Sequence, residues 1–484
     1  MFHDSCRLMV VISFMLMCVT CCIPVNAEDP YVISSLPFEI NESAVSDLGT
    51  HQFLLGTDWT GTASDPGAIL ITANDVILDG GSHILSGTLD SDPDTGQTGI
   101  LVTADNVTVR NVEVNGWDGG IFYYQSSDGV ISDTLADRNV NAGIGLFECT
   151  QITLDNNRAG GSVAGDGINV VNSTRVWLDN NDATGNAHNG IAFNDVFQGG
   201  IIGGNLSDNN DNGIGIWQDS RNISIGRNYI ARIVNGCGIN IDGGEYIDLF
   251  DNQVSGTPQG IGIAYGHASN GGIVNNTVTG ARDAGIGLVG CAQIGVNENH
   301  VTGTSGGDGI AVIDSTRIWL GYNEATGNAH NGVSFSNVFE GGITGGDFPD
   351  NNDNGIGIWQ NSRNISVGGN TVSGTVNGTG INVDGGENIG IFDNRVSGIA
   401  QGPGIIYGHA SNGSIVNNTV TGPRDVGIGL VGCTEIGIND NHATGSSGGD
   451  GIAVGDSTRI WLGNNEATGN AHNGVSFSNI FEGG

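Results

Sequence analysis

The feature that most constrains this chain is a repeat within a repeat. The segment Asp166 to Gly200 (DGINVVNSTRVWLDNNDATGNAHNGIAFNDVFQGG) returns as Asp308 to Gly342 and again as Asp450 to Gly484, at the same offset each time. Inside the long period lies a shorter one. A glycine opens a short apolar stretch at Gly143, Gly167, Gly190, Gly213, Gly238, Gly260 and Gly285, at steps of 22 to 25. After a brief turn a second apolar stretch follows, as in Gln151-Ile152-Thr153-Leu154, Arg175-Val176-Trp177-Leu178 and Asn222-Ile223-Ser224-Ile225. Alternate positions are aliphatic, the period of a strand with one buried face.

A third marker fixes the architecture. Asparagine stands at Asn157, Asn181, Asn205, Asn228, Asn252, Asn276, Asn299, Asn323, Asn370, Asn394, Asn418, Asn441 and Asn465, with Asp347 filling the one gap. Asparagine tolerates the left-handed backbone, and its amide both donates and accepts, so identical neighbours stacked one above another can bond as a ladder. One tight bend per unit with an amide ladder along it is what a parallel β-helix requires. An α-solenoid needs helix formers that this Gly- and Asn-rich chain lacks, and a propeller blade is about 40 to 45 residues long. The expected fold is all-β: a single right-handed parallel β-helix of about 18 coils of 22–25 residues, organised as a 142-residue, six-coil super-repeat. At ~4.8 Å per coil it would form a rod on the order of 80 Å long.

The stretches Ala73-Asn74-Asp75-Val76-Ile77-Leu78-Asp79-Gly80-Gly81 and Asp105-Asn106-Val107-Thr108-Val109-Arg110-Asn111 closely match the first- and second-coil patterns of a known superfamily. From about Gly67 onward the chain resembles the pectin-lyase-like right-handed β-helix proteins, specifically NosD-like and carbohydrate-binding and sugar-hydrolysis domain surface proteins of archaeal type. The resemblance implies an amino-terminal lead-in over residues 28–66 that covers the first coil, then the β-helix over 67–484. It also implies three kinds of role: a structural, adhesive or glycan-binding module; a polysaccharide lyase, hydrolase or epimerase; or a copper-related NosD-like protein.

The amino terminus reads as a signal peptide over residues 1–27. Arg7 precedes an apolar run from Leu8 to Ile23, and Val25-Asn26-Ala27 supplies small residues before a mature start at Glu28. A secreted, extracellular or cell-surface location follows, with no membrane span in the mature residues. Ending at Gly484, partway through a coil, the chain is expected to be a truncated record of a longer protein. Its net charge of -37, with 14 arginines and no lysine, excludes nucleic acid as a partner and disfavours anionic membranes. It leaves a polysaccharide or cell-surface glycan, or another surface protein.

Candidate site residues fall into four groups. Trp177, Trp319 and Trp461 project outward beside Arg175, Arg317 and Arg459, and Trp217 and Trp359 follow inward Ile-Gly-Ile triplets. Exposed tryptophan stacks on sugar rings, whereas an arginine laid over the ring would be a surface cation-π pair. Weaker catalytic candidates are Asp283 and Asp425 with their neighbours Arg282 and Arg424, beside Asp166, Asp208, Asp211 and Asp248. Most of them recur in the next long repeat, as Asp166 does at Asp308, which suits a multivalent surface better than one catalytic cleft. The expectation is therefore more against than for an enzyme. His188, His330, His472, His267 and His409 recur six coils apart, roughly 29 Å, too far to share a metal. No metal site and no cofactor are expected, calcium being the ion to consider although no specific motif supports it. Cys149, Cys291 and Cys433 are likewise too far apart to pair and are expected to be sheltered small residues.

Overall fold

The computed structural model describes residues 29–62, 67–88 and 96–484; the signal-peptide reading of residues 1–27 lies outside them. Each coil contributes one strand to each of two long sheets, so that the chain winds as a right-handed parallel β-helix of about 18 turns. One sheet has 20 strands, running from Tyr31–Ile33 to Phe481–Gly483, and the second has 19, from Phe38–Ile40 to Val475–Ser478. A third face is built from three-residue strands, ten of them in one sheet from Tyr229–Ala231 to His442–Thr444. Every pairing between neighbouring coils is parallel, as in Thr174–Asp179 on Thr150–Asp155.

The lead-in extends the stack. Tyr31–Ile33 pairs with Gln52–Leu55, and Phe38–Ile40 pairs with Gly67–Ile71, so the strand edge of the first coil is covered by backbone hydrogen bonds. The described residues contain one α-helix, Glu42–Leu48, between these strands. Asn41 caps it by accepting from the Ala44 N–H, and Gly49 ends it in the left-handed conformation.

The interior is a column, not a sphere. Ile168, Ile191, Ile214, Ile239, Ile263, Ile286 and Ile310 align coil upon coil, and all are fully or almost fully buried. Register places Gly262 opposite Gly238, so the coil opens there and not at Gly260. The sequence Gly-Ile-Gly-Ile reads the same after a shift of two residues, which leaves every side chain on its face.

The asparagine ladder is present, and it is interrupted. Asn157 donates from its backbone and side chain to Asn181 Oδ1, and the same double contact joins Asn228, Asn252, Asn276, Asn299 and Asn323, then Asn370, Asn394, Asn418, Asn441 and Asn465. Asn205 is not a rung. The position belongs to Gly204, whose N–H donates to Asn228 Oδ1, and in the next super-repeat to Gly346 and not Asp347. Ile201 is the inward residue of that strand and Ile202 the outer one, so counting from Ile202 overshoots by one. Nor do the rungs adopt the left-handed backbone: the residue before each does, as at Asn156, Asn180, Asp251 and Asn275, with φ of 52° to 56°.

Two further polar stacks were not legible in advance. Asn186 bonds to Asn209 and Asn328 to Asn351 along a second corner. Along a third, Asp166 accepts from the backbone and side chain of Asn189, which accepts in the same way from Asn212. These stacks satisfy buried polar groups where the chain turns between sheets.

Candidate functional site

The outer surface of the 20-stranded sheet carries Trp177, Trp319 and Trp461 and the arginines beside them. Alternation sends Val176 and Leu178 inward, so Trp177 and its equivalents face out, 37% exposed at Trp177, 49% at Trp319 and 52% at Trp461. Strand register places the three on one line. From Trp177 it continues through Gly200, Ser224, Asp248, Gly272 and Gly295 to Trp319, and then through Gly342, Ser366, Gly390, Ser414 and Gly437 to Trp461. Between successive indoles lie five coils of small or short side chains, a shallow channel of roughly 29 Å from post to post at the strand spacing. The glycines are needed at the posts. A Cβ on Gly200 would lie 2.7 Å from the Trp177 ring, and one on Gly342 2.8 Å from the Trp319 ring. The Trp177 and Trp319 indoles therefore lie on the backbone of the next coil, while Trp461 is the most exposed of the three.

Arg175, Arg317 and Arg459 stand on the same face as the tryptophans, two residues earlier, each at a left-handed bulge with φ of 55° to 57°. The second and third turn their charge to carboxylates: Arg317 reaches Glu340 at 3.1 Å and Arg459 reaches Glu435 at 2.9 Å. The arginine-over-ring pairs found are instead Arg221 on Phe197, Arg363 on Phe339 and Arg227 on Phe250. Trp217 and Trp359 lie on the 19-stranded sheet and are only half-exposed, because each ring folds back over the glycine two residues before it, Gly215 and Gly357. They offer less open ring face than the other three.

The catalytic candidates are held by different partners. Asp283 is a surface carboxylate 3.9 Å from Arg282, which also donates to Gln259, and Arg424 donates to Gln401 in the matching turn of Asp425. Asp208 is taken up by Arg232, whose hydrogen bond holds its carboxyl below the usual range. Burial pushes the Asp166 and Asp248 carboxyls up, and the Asp211 charge adds to the rise at Asp166. His267 and His409 bond to Asp242 and Asp384 at 3.0 Å.

Cys149, Cys291 and Cys433 are buried and free, each thiol directed at the carbonyl of a buried tyrosine one coil earlier, Tyr123, Tyr265 or Tyr407. Burial raises their pKa. Copper would need clustered His, Met or Cys. Among the described residues no group of three or more His, Cys, Asp or Glu is arranged to hold a metal ion, so the residues present do not fit a copper centre.

Fold and surface define a right-handed parallel β-helix repeat protein with an outward row of tryptophans. The chain belongs to the NosD family: the family described as periplasmic copper-binding protein (NosD) matches residues 69–235 and 230–398, well over half of the chain. The right-handed beta helix region matches residues 379–483. No curated protein matches the chain. Similar solved structures include the Dettilon tailspike protein, 13% identical with a TM-score of 0.40, covering 70% of this chain. This chain spans 63% of the tailspike's length. Another is DFA-IIIase from Arthrobacter chlorophenolicus A6 without its lid, 14% identical, TM-score 0.39, covering 53% of this chain and 68% of the enzyme. The A-module of the Azotobacter vinelandii mannuronan C-5 epimerase AlgE4 is 11% identical, TM-score 0.32, with 91% of each chain covered. At these identities the likeness concerns the fold alone.

Proposed function

We propose that this protein is an exported β-helix rod that binds glycan chains along its 20-stranded sheet. The observation that carries the reading is the outward line of Trp177, Trp319 and Trp461, separated by stretches floored with Gly and Ser and, between the first two, Asp248. A flat apolar face with an N–H donor suits a sugar ring, and a smooth floor lets an extended chain lie from one post to the next. Three posts on one chain give avidity even when each contact is weak. The family's periplasmic description supports export, and among the described residues no helix is long and apolar enough to cross a membrane.

Neutral and acidic polysaccharides on a glycan array, run beside a reducing-sugar release assay, test the reading. Replacing Trp177, Trp319 and Trp461 together by alanine should abolish retention on the array; retention equal to the unaltered protein refutes it. Release of reducing sugar that disappears in the Asp283→Asn, Asp425→Asn double variant would establish the protein as an enzyme instead.

A further inference from the structure

One edge of the same sheet holds a second, differently built feature. Register aligns Phe197, Arg221, Glu245 and Ser269 in four successive coils, and Phe339, Arg363, Glu387 and Ser411 in the corresponding four of the next super-repeat. Neighbours in such a row are ~4.8 Å apart, close enough for an arginine to pair with the adjacent glutamate. It does not. Arg221 lies over the Phe197 ring at 4.9 Å and Arg363 over Phe339 at 4.7 Å, each drawn away from the carboxylate. Among the described residues Arg221 and Glu245 make no ion pair, although they are neighbours in a strongly acidic protein.

Between them lies a half-open surface cavity of about 350 Å³ lined by Asp219, Arg221, Gly244, Glu245, His267 and Ser269. A tight glycine turn borders it. Gly243 and Gly244 have φ of 87° and 91°, and Gly385 and Gly386 repeat the turn at 84° and 96°, conformations that other residues rarely adopt. A Cβ at Gly244 would press on the Ser220 carbonyl and come within 2.9 Å of Ile247. At its rim His267 is held by Asp242 through a 3.0 Å contact to Nδ1, with Nε2 turned toward Gly290 of the following coil, and His409 is held in the same way by Asp384.

We propose that this cavity, and the equivalent residues Arg363, Glu387 and Ser411 of the next super-repeat, each bind one sugar unit through its hydroxyl groups. The lining offers guanidinium donors, carboxylate acceptors and a hydroxyl within one concavity, the mixture that adjacent hydroxyls, each both donor and acceptor, can satisfy. The aromatic ring is already covered by arginine, so this site reads hydroxyls where the tryptophans read ring faces. The ligand class rests on the glycan-binding reading above. The two copies differ at one position, Asp219 in the first and Asn361 in the second. With two carboxylates against one guanidinium, the first copy favours neutral sugars and rejects uronates. The second, with one of each, discriminates less.

Titration calorimetry of the full chain with cellotetraose, maltotetraose and tetragalacturonate tests this. A neutral tetramer should bind at two pocket sites. Arg221→Ala with Glu245→Gln should remove one, Arg363→Ala with Glu387→Gln the other, each with at least a tenfold loss of affinity at that site. Asp219→Asn should raise affinity for tetragalacturonate several-fold. The positions are exposed, and an unchanged thermal midpoint confirms that the variants fold. Stoichiometry and affinity unaltered in both pocket variants would overturn the pockets. If the tryptophan variant alone then abolishes binding, the glycan reading stands without them; binding abolished only by the pocket variants sinks the tryptophan reading instead.

Discussion

Replacing one rung of the buried ladder tests whether it holds the coils together. The Asn276 side chain makes five contacts: Oδ1 accepts from Asn252 N at 3.0 Å and Asn252 Nδ2 at 2.9 Å, and Nδ2 donates to Asn299 Oδ1, Leu249 O and Val274 O at 3.0 to 3.2 Å. In Asn276→Ala the Asn252 amide, buried, loses the acceptor found for it, while Asn252 Nδ2 keeps Ile225 O and Asn299 Oδ1 keeps the Asn276 N–H. An orphaned buried donor costs about 1–3 kcal/mol, and the other lost bonds add about 1 kcal/mol between them because their partners keep or find other contacts, so about 2–4 kcal/mol is expected. The loss is local, because coils interact chiefly with their neighbours and a solenoid need not unfold in one step. Hydrogen exchange followed by mass spectrometry is therefore the assay: protection should fall by about two orders of magnitude across residues 249–299 and stay unchanged near Asn418. Asn275→Gly is the control, since Asn275 is exposed, has a φ of 55° suited to glycine, and gives up one surface contact to Asp251. Equal effects from the two variants would refute the claim that the buried rungs, and not surface amides, bind coil to coil.

Asp166 and Asp450, equivalent aspartates of the third polar stack, should titrate differently. Burial raises the Asp166 pKa, whereas the Ser476 hydroxyl lowers that of Asp450; Ser334 donates to Asp308 at 2.5 Å, but Ala192 stands at the matching place beside Asp166. A raised carboxyl favours the protonated fold, so the Asp166 contribution is present below pH 3.8 and is lost as pH rises through its folded value. Ala192→Ser should lower the Asp166 pKa and stabilise the coil by about 1–2 kcal/mol at pH 7, an advantage that fades once the carboxyl is protonated; carboxyl-carbon NMR against pH reads the shift, and an unmoved titration rejects it. Cys149, Cys291 and Cys433, buried with raised thiol pKa values, should react with iodoacetamide at pH 8 at least about 100-fold more slowly in the native protein than in denaturant. Comparable rates would show that the column opens readily.

The long repeat, the alternation in Arg175-Val176-Trp177-Leu178 and the asparagine at steps of about 24 were enough to reach a parallel β-helix and to send Trp177, Trp319 and Trp461 outward. Each is a short-range pattern, and a repeated short-range pattern with one buried face leaves few ways to stack. What lies beside what was decided only in three dimensions. Neighbours across the coils stand a whole coil apart in sequence, and an extra residue can be absorbed at any of the turns without disturbing the alternation. That freedom is why Asn205 looked like a rung when Gly204 occupies the place, and why Gly260 stood for Gly262. It also hid the polar stack of Asp166, Asn189 and Asn212, the small-residue channel between the tryptophans, and the row of Phe197, Arg221, Glu245 and Ser269. Composition and period determined the coil, while backbone hydrogen bonding between coils set the register and so assembled the surface on which the proposed binding rests.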